Sequence, residues 1–156
     1  MKIWFDVLTP KQLLFFEPMI KCIKKNHAVL CTSRDYNQVI QLAKARNLKL
    51  MIVGKHGGSK RHDKLNASLH RAKLLSVRIK RFSPDITISC CSPEAARVSY
   101  GLNTDHICFS DSPHANAVMR LVIPLVQKLL IPWIIPKKEF TKFGINIKDI
   151  IRYKAI

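Results

Sequence analysis

The chain is expected to be an α/β protein with a parallel sheet, and three observations predict it. Short apolar runs alternate with helix-spaced amphipathic segments along its length, which is the pattern of successive strand–helix–strand units. Within residues 84–115, PDITISCCSPEAARVSYGLNTDHICFSDSPHA, an apolar run twice ends in small polar residues and a proline-marked helix start: Ser92-Pro93-Glu94, then Ser112-Pro113-His114. Finally, 156 residues, 47% of them hydrophobic, with no internal repeat or low-complexity tract, suit one domain with its own core.

The elements follow in order. Residues 2–8 form an apolar run closed by Thr9-Pro10, which reads as a strand. Leu13, Phe16, Ile20 and Ile23 fall at helical spacing. Pro18 disfavours a helix interior, so the helix proper is expected to begin near it. Residues 27–32 are strand-like, residues 36–47 helical with Val39, Ile40 and Ala43 inward, and residues 48–53 a third strand. After the GKHGG loop, Leu69, Ala72, Ser76, Ile79 and Phe82 mark the inward stripe of a long helix stopped by Pro84. A fourth strand, the Pro93 helix, a fifth strand and the Pro113 helix come next. A strand over 129–135 is sixth, and a short helix over 137–143 closes at Gly144. The tail after Gly144 reads as the start of a connection, with residues 145–156 leading to a further domain.

Charge restricts the partners. Twenty-seven Lys and Arg face ten Asp and Glu, a net +17, so the field favours polyanions: nucleic acid, anionic lipid or nucleotide phosphate. The excess is spread along the chain and no groove-reading motif accompanies it, which weighs against dedicated nucleic-acid recognition. Between Lys55 and Arg81 stand nine Lys/Arg and one acid, Asp63. Lys64, Arg71, Lys73, Arg78, Lys80 and Arg81 are placed on the polar side of the long helix, as a solvated face or one held against anionic lipid or a partner. Five Cys with no C-x-x-C pair argue against a disulfide framework and against zinc, and for a reducing cytoplasm. Residues 117–136 approach the length of a bilayer span. They contain Arg120, Lys128, Pro124, Pro132 and Pro136, so a buried helix followed by a buried strand fits better, with at most peripheral contact with an inner membrane face.

The polar groups at the strand–helix junctions are the candidate site. Ser92 and Ser112 suit N-caps, each with Pro at N1. Glu94 stands in a first turn, where the helix dipole favours a carboxylate. Asp111 beside His114 pairs a carboxylate with an imidazole, a combination suited to acid–base chemistry. Capping or simple exposure accounts for the same residues without function. No G-x-G-x-x-G or Walker motif occurs, which excludes those dinucleotide and P-loop readings. In the glycine loop, Gly57 and Gly58 permit close backbone approach among Lys55, His56, Lys60 and Arg61, so either a solvated basic loop or an anion contact is expected.

These motifs also carry a resemblance. KIWFDVLTP, FFEPMIK, TSRDYNQ, GKHGGS, PDITIS-x-x-SPEAARV-x-YGL, FSDSPHA and PKKEFTKFG occur in an order similar to the N-terminal half of the domain-of-unknown-function 354 family. That family in turn resembles glycosyltransferase-B-fold proteins and UDP-N-acetylglucosamine 2-epimerases. The resemblance implies a Rossmann-like three-layer α/β/α sandwich with a mainly parallel sheet of about six strands. It implies the acceptor-side half of a sugar-nucleotide-related protein, its cleft completed by a C-terminal domain on another chain. It places Asp111, His114 and Glu94 as catalytic candidates and Lys55, His56, Gly57, Gly58, Ser59, Ser92 and Arg97 as ligand-binding candidates. Gln12, Pro113 and Cys90-Cys91 stand where the family often has His, an acidic residue, and Gly or His. No cofactor or metal is expected. Expected partners are the C-terminal nucleotide-sugar-binding chain, an anionic membrane surface and a second copy, with nucleic acid a lesser one. An inactive remnant, a basic nucleic-acid-binding module and a standalone enzyme working through Asp111 and His114 are the alternatives.

Overall fold

A computed structural model describes residues 1–154. Seven strands alternate with six helices: β1 Lys2–Asp6, α1 Pro10–Ile23, β2 Ala28–Asp35, α2 Asn37–Ala45, β3 Met51–Lys55, α3 Arg61–Phe82, β4 Ile86–Cys90, α4 Pro93–Gly101, β5 Asp105–Phe109, α5 Asn116–Val122, β6 Lys128–Pro132, α6 Lys138–Thr141 and β7 Ile150–Tyr153. All neighbouring strands pair in parallel, in the order β3-β2-β1-β4-β5-β6-β7. The sheet is therefore α/β and Rossmann-like, with one more strand than the six expected. From β1 it grows in opposite directions, so the C-terminal ends of β1 and β4 border a topological switch point.

Period-two alternation along the strands sets the layers. Ile3, Phe5 and Val7 enter one core with Leu13, Phe16 and Ile20 of α1 and Val39 and Ala43 of α2. Trp4 points the other way, into a core with Leu75 and Ile79 of α3 and Ala95 and Val98 of α4. Asp6 follows Trp4 by two residues and so shares its side of the sheet. On β5, Phe109 joins the α1 side, whereas Cys108 joins Met119, Val122 and Phe140 on the opposite side. Cys90 and Cys91 divide in the same manner between the two layers.

Three expectations need correction. Helix α1 begins at Pro10, not near Pro18. Thr9 caps it by accepting from the Gln12 N–H, and Pro10 sits where no N–H is required. Pro18 is tolerated in its interior because it lies, with Leu14, on the exposed side, where a carbonyl deprived of its partner can be hydrated. Helix α5 starts at Asn116, not at Pro113. The Ser112 hydroxyl is spent on the Asp111 carboxylate, and Ala115 precedes the helix without a side-chain cap. The stripe of α3 is rotated from the expected one: Arg71, Leu75 and Ile79 are buried and Leu69 is exposed.

Candidate functional site

The rotation of α3 delivers a charge to the sheet. Arg71, expected on the solvated face, is buried at the C-terminal end of β1. Its Nη1 and Nη2 donate to Asp6 at 3.1 and 2.6 Å, and its Nε donates to the Val53 carbonyl at 2.9 Å. Asp6 also accepts from the hydroxyls of Thr32 and Ser92, each at 2.6 Å. Burial alone would raise the Asp6 pKa. The charge of Arg71 and the hydrogen bonds from Arg71, Ser92 and Thr32 together outweigh it and hold the carboxyl below its ordinary value. Burial likewise opposes the charge of Arg71, and Asp6 overcomes it, so the guanidinium is held above its ordinary pKa. Space for the side chain depends on Gly54 of β3, where a Cβ would stand 2.9 Å from the Cβ and Cγ of Arg71.

Ser92 and Glu94 belong to this buried cluster. The Ser92 hydroxyl accepts from the Ala95 N–H as the α4 cap while donating to Asp6. Glu94 is also buried, with its Oε2 3.7 Å from Arg71 Nη1. Arg34 of β2 approaches from the rim. Its Nε is buried with no hydrogen-bond partner among the described residues. Burial lowers its pKa against the opposing charge of Glu94.

The adjacent side of the switch point holds an open cavity of about 320 Å³, which lies at the small end of the range for small-molecule sites. Thr9, Lys11, Gln12 and Phe15 of α1 and its cap line one wall. Cys90, Phe109, Ser110 and Asp111 line the second, and Pro132 and Tyr153 the third. Gln12 ties the strand ends together: its Oε1 accepts from the Leu8 N–H at 2.8 Å, and its Nε2 donates to the Cys90 carbonyl at 3.1 Å. Lys11 pairs with Asp111, whose other oxygen accepts from the Ser112 hydroxyl at 2.8 Å. The hydrogen bond from Lys11 is the main cause that keeps the Asp111 pKa below its ordinary value. The rings of Phe15, Phe109 and Tyr153 meet edge-on or tilted, with centroids 5.4 to 6.2 Å apart. This gives a hydroxyl-accepting carboxylate, an ammonium, an amide and aromatic walls, a set that can hold a small polyhydroxylated ligand. A larger cavity, about 580 Å³, lies between α1 and residues 48–51. Leu13, Ile20, Cys31 and Leu48 line it, and Lys24 and Lys49 supply its only side-chain charges. It lacks the convergent polar groups of a ligand site, so we assign the site to the smaller cavity.

The other expected site residues lie around this edge. His114 is exposed in the turn between β5 and α5, and Arg97 is exposed on α4. Lys55 ends β3, and His56 stacks on Tyr36 at 5.6 Å between ring centroids. The His56 Nδ1 accepts from the Gly58 N–H at 3.1 Å. Gly57 is required by packing, since a Cβ there would stand 2.6 Å from the Lys64 Cα. Ser59 and Gly58 are exposed. The loop therefore sits at β3, two strands from the β1 side of the crevice, and Asp111 lies just beyond β5. Sequence reading missed Asp6, Arg71, Lys11, Phe15 and Tyr153. A signal for Asp6 existed: it is an acidic residue in a short strand of otherwise apolar character.

Comparison with known proteins places this geometry. A family described as "Protein of unknown function (DUF354)" matches residues 1–156. An uncharacterized protein of Methanocaldococcus jannaschii is 29% identical over 143 residues, covering 91% of this chain and 42% of its own. The crystal structure of UDP-GlcNAc 2-epimerase from Neisseria meningitidis bound to UDP-GlcNAc superposes with a TM-score of 0.78 at 15% identity, over 97% of this chain and 46% of that one. A lipopolysaccharide outer core galactosyltransferase superposes with a TM-score of 0.69 at 17% identity, over 97% of this chain and 44% of its own. The chain thus spans under half the length of the proteins it matches, and its fold is that of one half of a glycosyltransferase-B-type protein. Among the described residues, no helix is long and apolar enough to cross a membrane.

Proposed function

The chain belongs to the DUF354 family, and on that premise we propose that it is the acceptor-side half of a glycosyltransferase-B-like, sugar-nucleotide-related protein. Catalysis then requires a C-terminal nucleotide-binding domain. The observation that supports this reading is the cavity at the C-terminal ends of β1, β4 and β5, which presents Lys11, Gln12 and Asp111 beside aromatic walls. A ligand there faces outward from the sheet edge, where a second domain would close over it.

In this reading Asp111, kept ionised by Lys11, accepts a hydrogen bond from an acceptor hydroxyl. His114, exposed in the same loop, is the group available for proton transfer. Glu94 and Ser92 hold the crevice in shape through Asp6 and Arg71. Lys55, His56, Gly57, Gly58, Ser59 and Arg97 form the outer rim, where backbone amides and cations face the phosphates of a nucleotide held by the second domain.

The test is reconstitution. The chain is mixed with the C-terminal half of its Methanocaldococcus relative, and UDP-GlcNAc is titrated while melting temperature and UDP release are followed. The expected result is a melting shift and turnover in the mixture only, both weakened by Asp111→Asn. Activity of the chain alone, or a mixture that never responds to any UDP-sugar, refutes the proposal.

A further inference from the structure

We propose that the outward face of α3 docks on an anionic lipid surface. Helix α3 carries two ridges at four-residue spacing. The inner one, Arg71, Leu75 and Ile79, fills the sheet. The outer one is Leu65, Leu69, Lys73, Val77 and Arg81, and every member is exposed. At 1.5 Å per residue the outer ridge is about 24 Å long.

Leu65, Leu69 and Val77 are 55%, 62% and 63% exposed. The core has no use for them, because the inner ridge already supplies its contacts. The whole helix holds a single acid, Asp63, against six exposed Lys and Arg. Aliphatic side chains between lysines and arginines match a surface with anionic headgroups above an acyl layer. The aliphatic groups enter the boundary while the long cationic stems lie along it and keep their charge at the phosphates.

The same chemistry argues against two other occupants. Single-stranded nucleic acid gains from aromatic stacking, and the outer ridge has no aromatic ring. A second copy of the chain would present the same positive charge and repel it. The inference is independent of the cavity and of any catalytic role.

The experiment is co-sedimentation of the 156-residue chain with phosphatidylcholine vesicles, with and without phosphatidylglycerol. Binding is expected only when phosphatidylglycerol is present, and it should weaken with salt. Lys73→Gln with Lys80→Gln should lower the partition coefficient by about fivefold per charge. Leu69→Gln with Val77→Gln should lower it by roughly tenfold or more. All four positions are exposed, so melting temperatures should match the parent and show that the variants fold. Absence of phosphatidylglycerol-dependent binding overturns the proposal. So does parent-like binding by the Leu69→Gln, Val77→Gln variant, or displacement from vesicles by an RNA oligomer that this variant binds equally well.

Discussion

Replacing Asp6 by Asn tests whether the buried cluster, rather than apolar packing alone, secures α3 and α4 to the sheet. Asp6 accepts two hydrogen bonds from Arg71, at 2.6 and 3.1 Å, and one each from Ser92 and Thr32, both at 2.6 Å. The amide keeps one acceptor oxygen and turns an NH₂ toward two of the four donors. It also leaves the Arg71 guanidinium buried, with Glu94 at 3.7 Å as its nearest remaining carboxylate. Breaking a buried pair from one side costs about 3–5 kcal/mol, a large share of the roughly 5–15 kcal/mol that holds an ordinary domain together. With a urea slope near 2 kcal/mol/M, the midpoint should fall by about 2 M at unchanged slope. Arg71→Met alone leaves the Asp6 carboxylate without its countercharge, held only by the Thr32 and Ser92 hydroxyls, and should cost a similar amount. The double variant removes both charges and should cost markedly less than the sum, a coupling of roughly 2 kcal/mol or more. A midpoint loss under about 0.5 M for Asp6→Asn, or additive single costs, would refute the assignment.

Further expectations concern other parts of the molecule. His106 is fully buried, with its Nε2 2.9 Å from the Ser89 hydroxyl, and burial pulls its pKa down to about 4. The unfolded chain takes up this proton below about 6.5 while the native chain refuses it. Stability should therefore fall as pH drops from 6.5 toward 4, by about 3 kcal/mol from this group, and urea melts of His106→Asn should lack that slope. Gly57→Ala places a methyl 2.6 Å from the Lys64 Cα and 2.7 Å from the Asp63 carbonyl oxygen, and should cost about 2 kcal/mol in the same assay. Gly58→Ala meets no atom within 4 Å but sits at φ +69, so its cost should stay near 1 kcal/mol. Lys11→Ala breaks a solvent-exposed pair with Asp111. Its effect on melting should be under about 1 kcal/mol, and turnover of the reconstituted pair should be what it reduces.

The order of strands and helices was legible because β1, β4 and β5 alternate or run apolar between clear turn residues, and that pattern depends only on local spacing. Asp111 was legible for the same reason, as an acidic residue directly after a strand. Its partner Lys11 lies 100 residues earlier, and Gln12 bonds a carbonyl 78 residues away. No local pattern encodes such pairings. Arg71 was misplaced because a cation in a basic segment reads as solvated. Its place four residues before Leu75 and eight before Ile79 marks the true inward ridge, and Leu69 drew the expected stripe away from it. Ser112-Pro113 copied the sequence of a helix start without its structure, because the neighbouring Asp111 captured the serine hydroxyl. The Ser92-Pro93 junction, by contrast, is a true cap, since Ser92 accepts from Ala95 as well as donating to Asp6.

The buried pair also has a mechanical side. A helix seated only by Leu and Ile can roll on a sheet by small repacking steps, each contact exchanged for a similar one. Helix α3 has no such freedom, because a guanidinium gripped by Asp6 and Val53 and flanked by Gly54 fits at one angle. Arg71 thus acts as a key in a slot and sets the azimuth of the 22-residue helix. The direction in which the outer face points is thereby tied to the end of β1, beside the crevice.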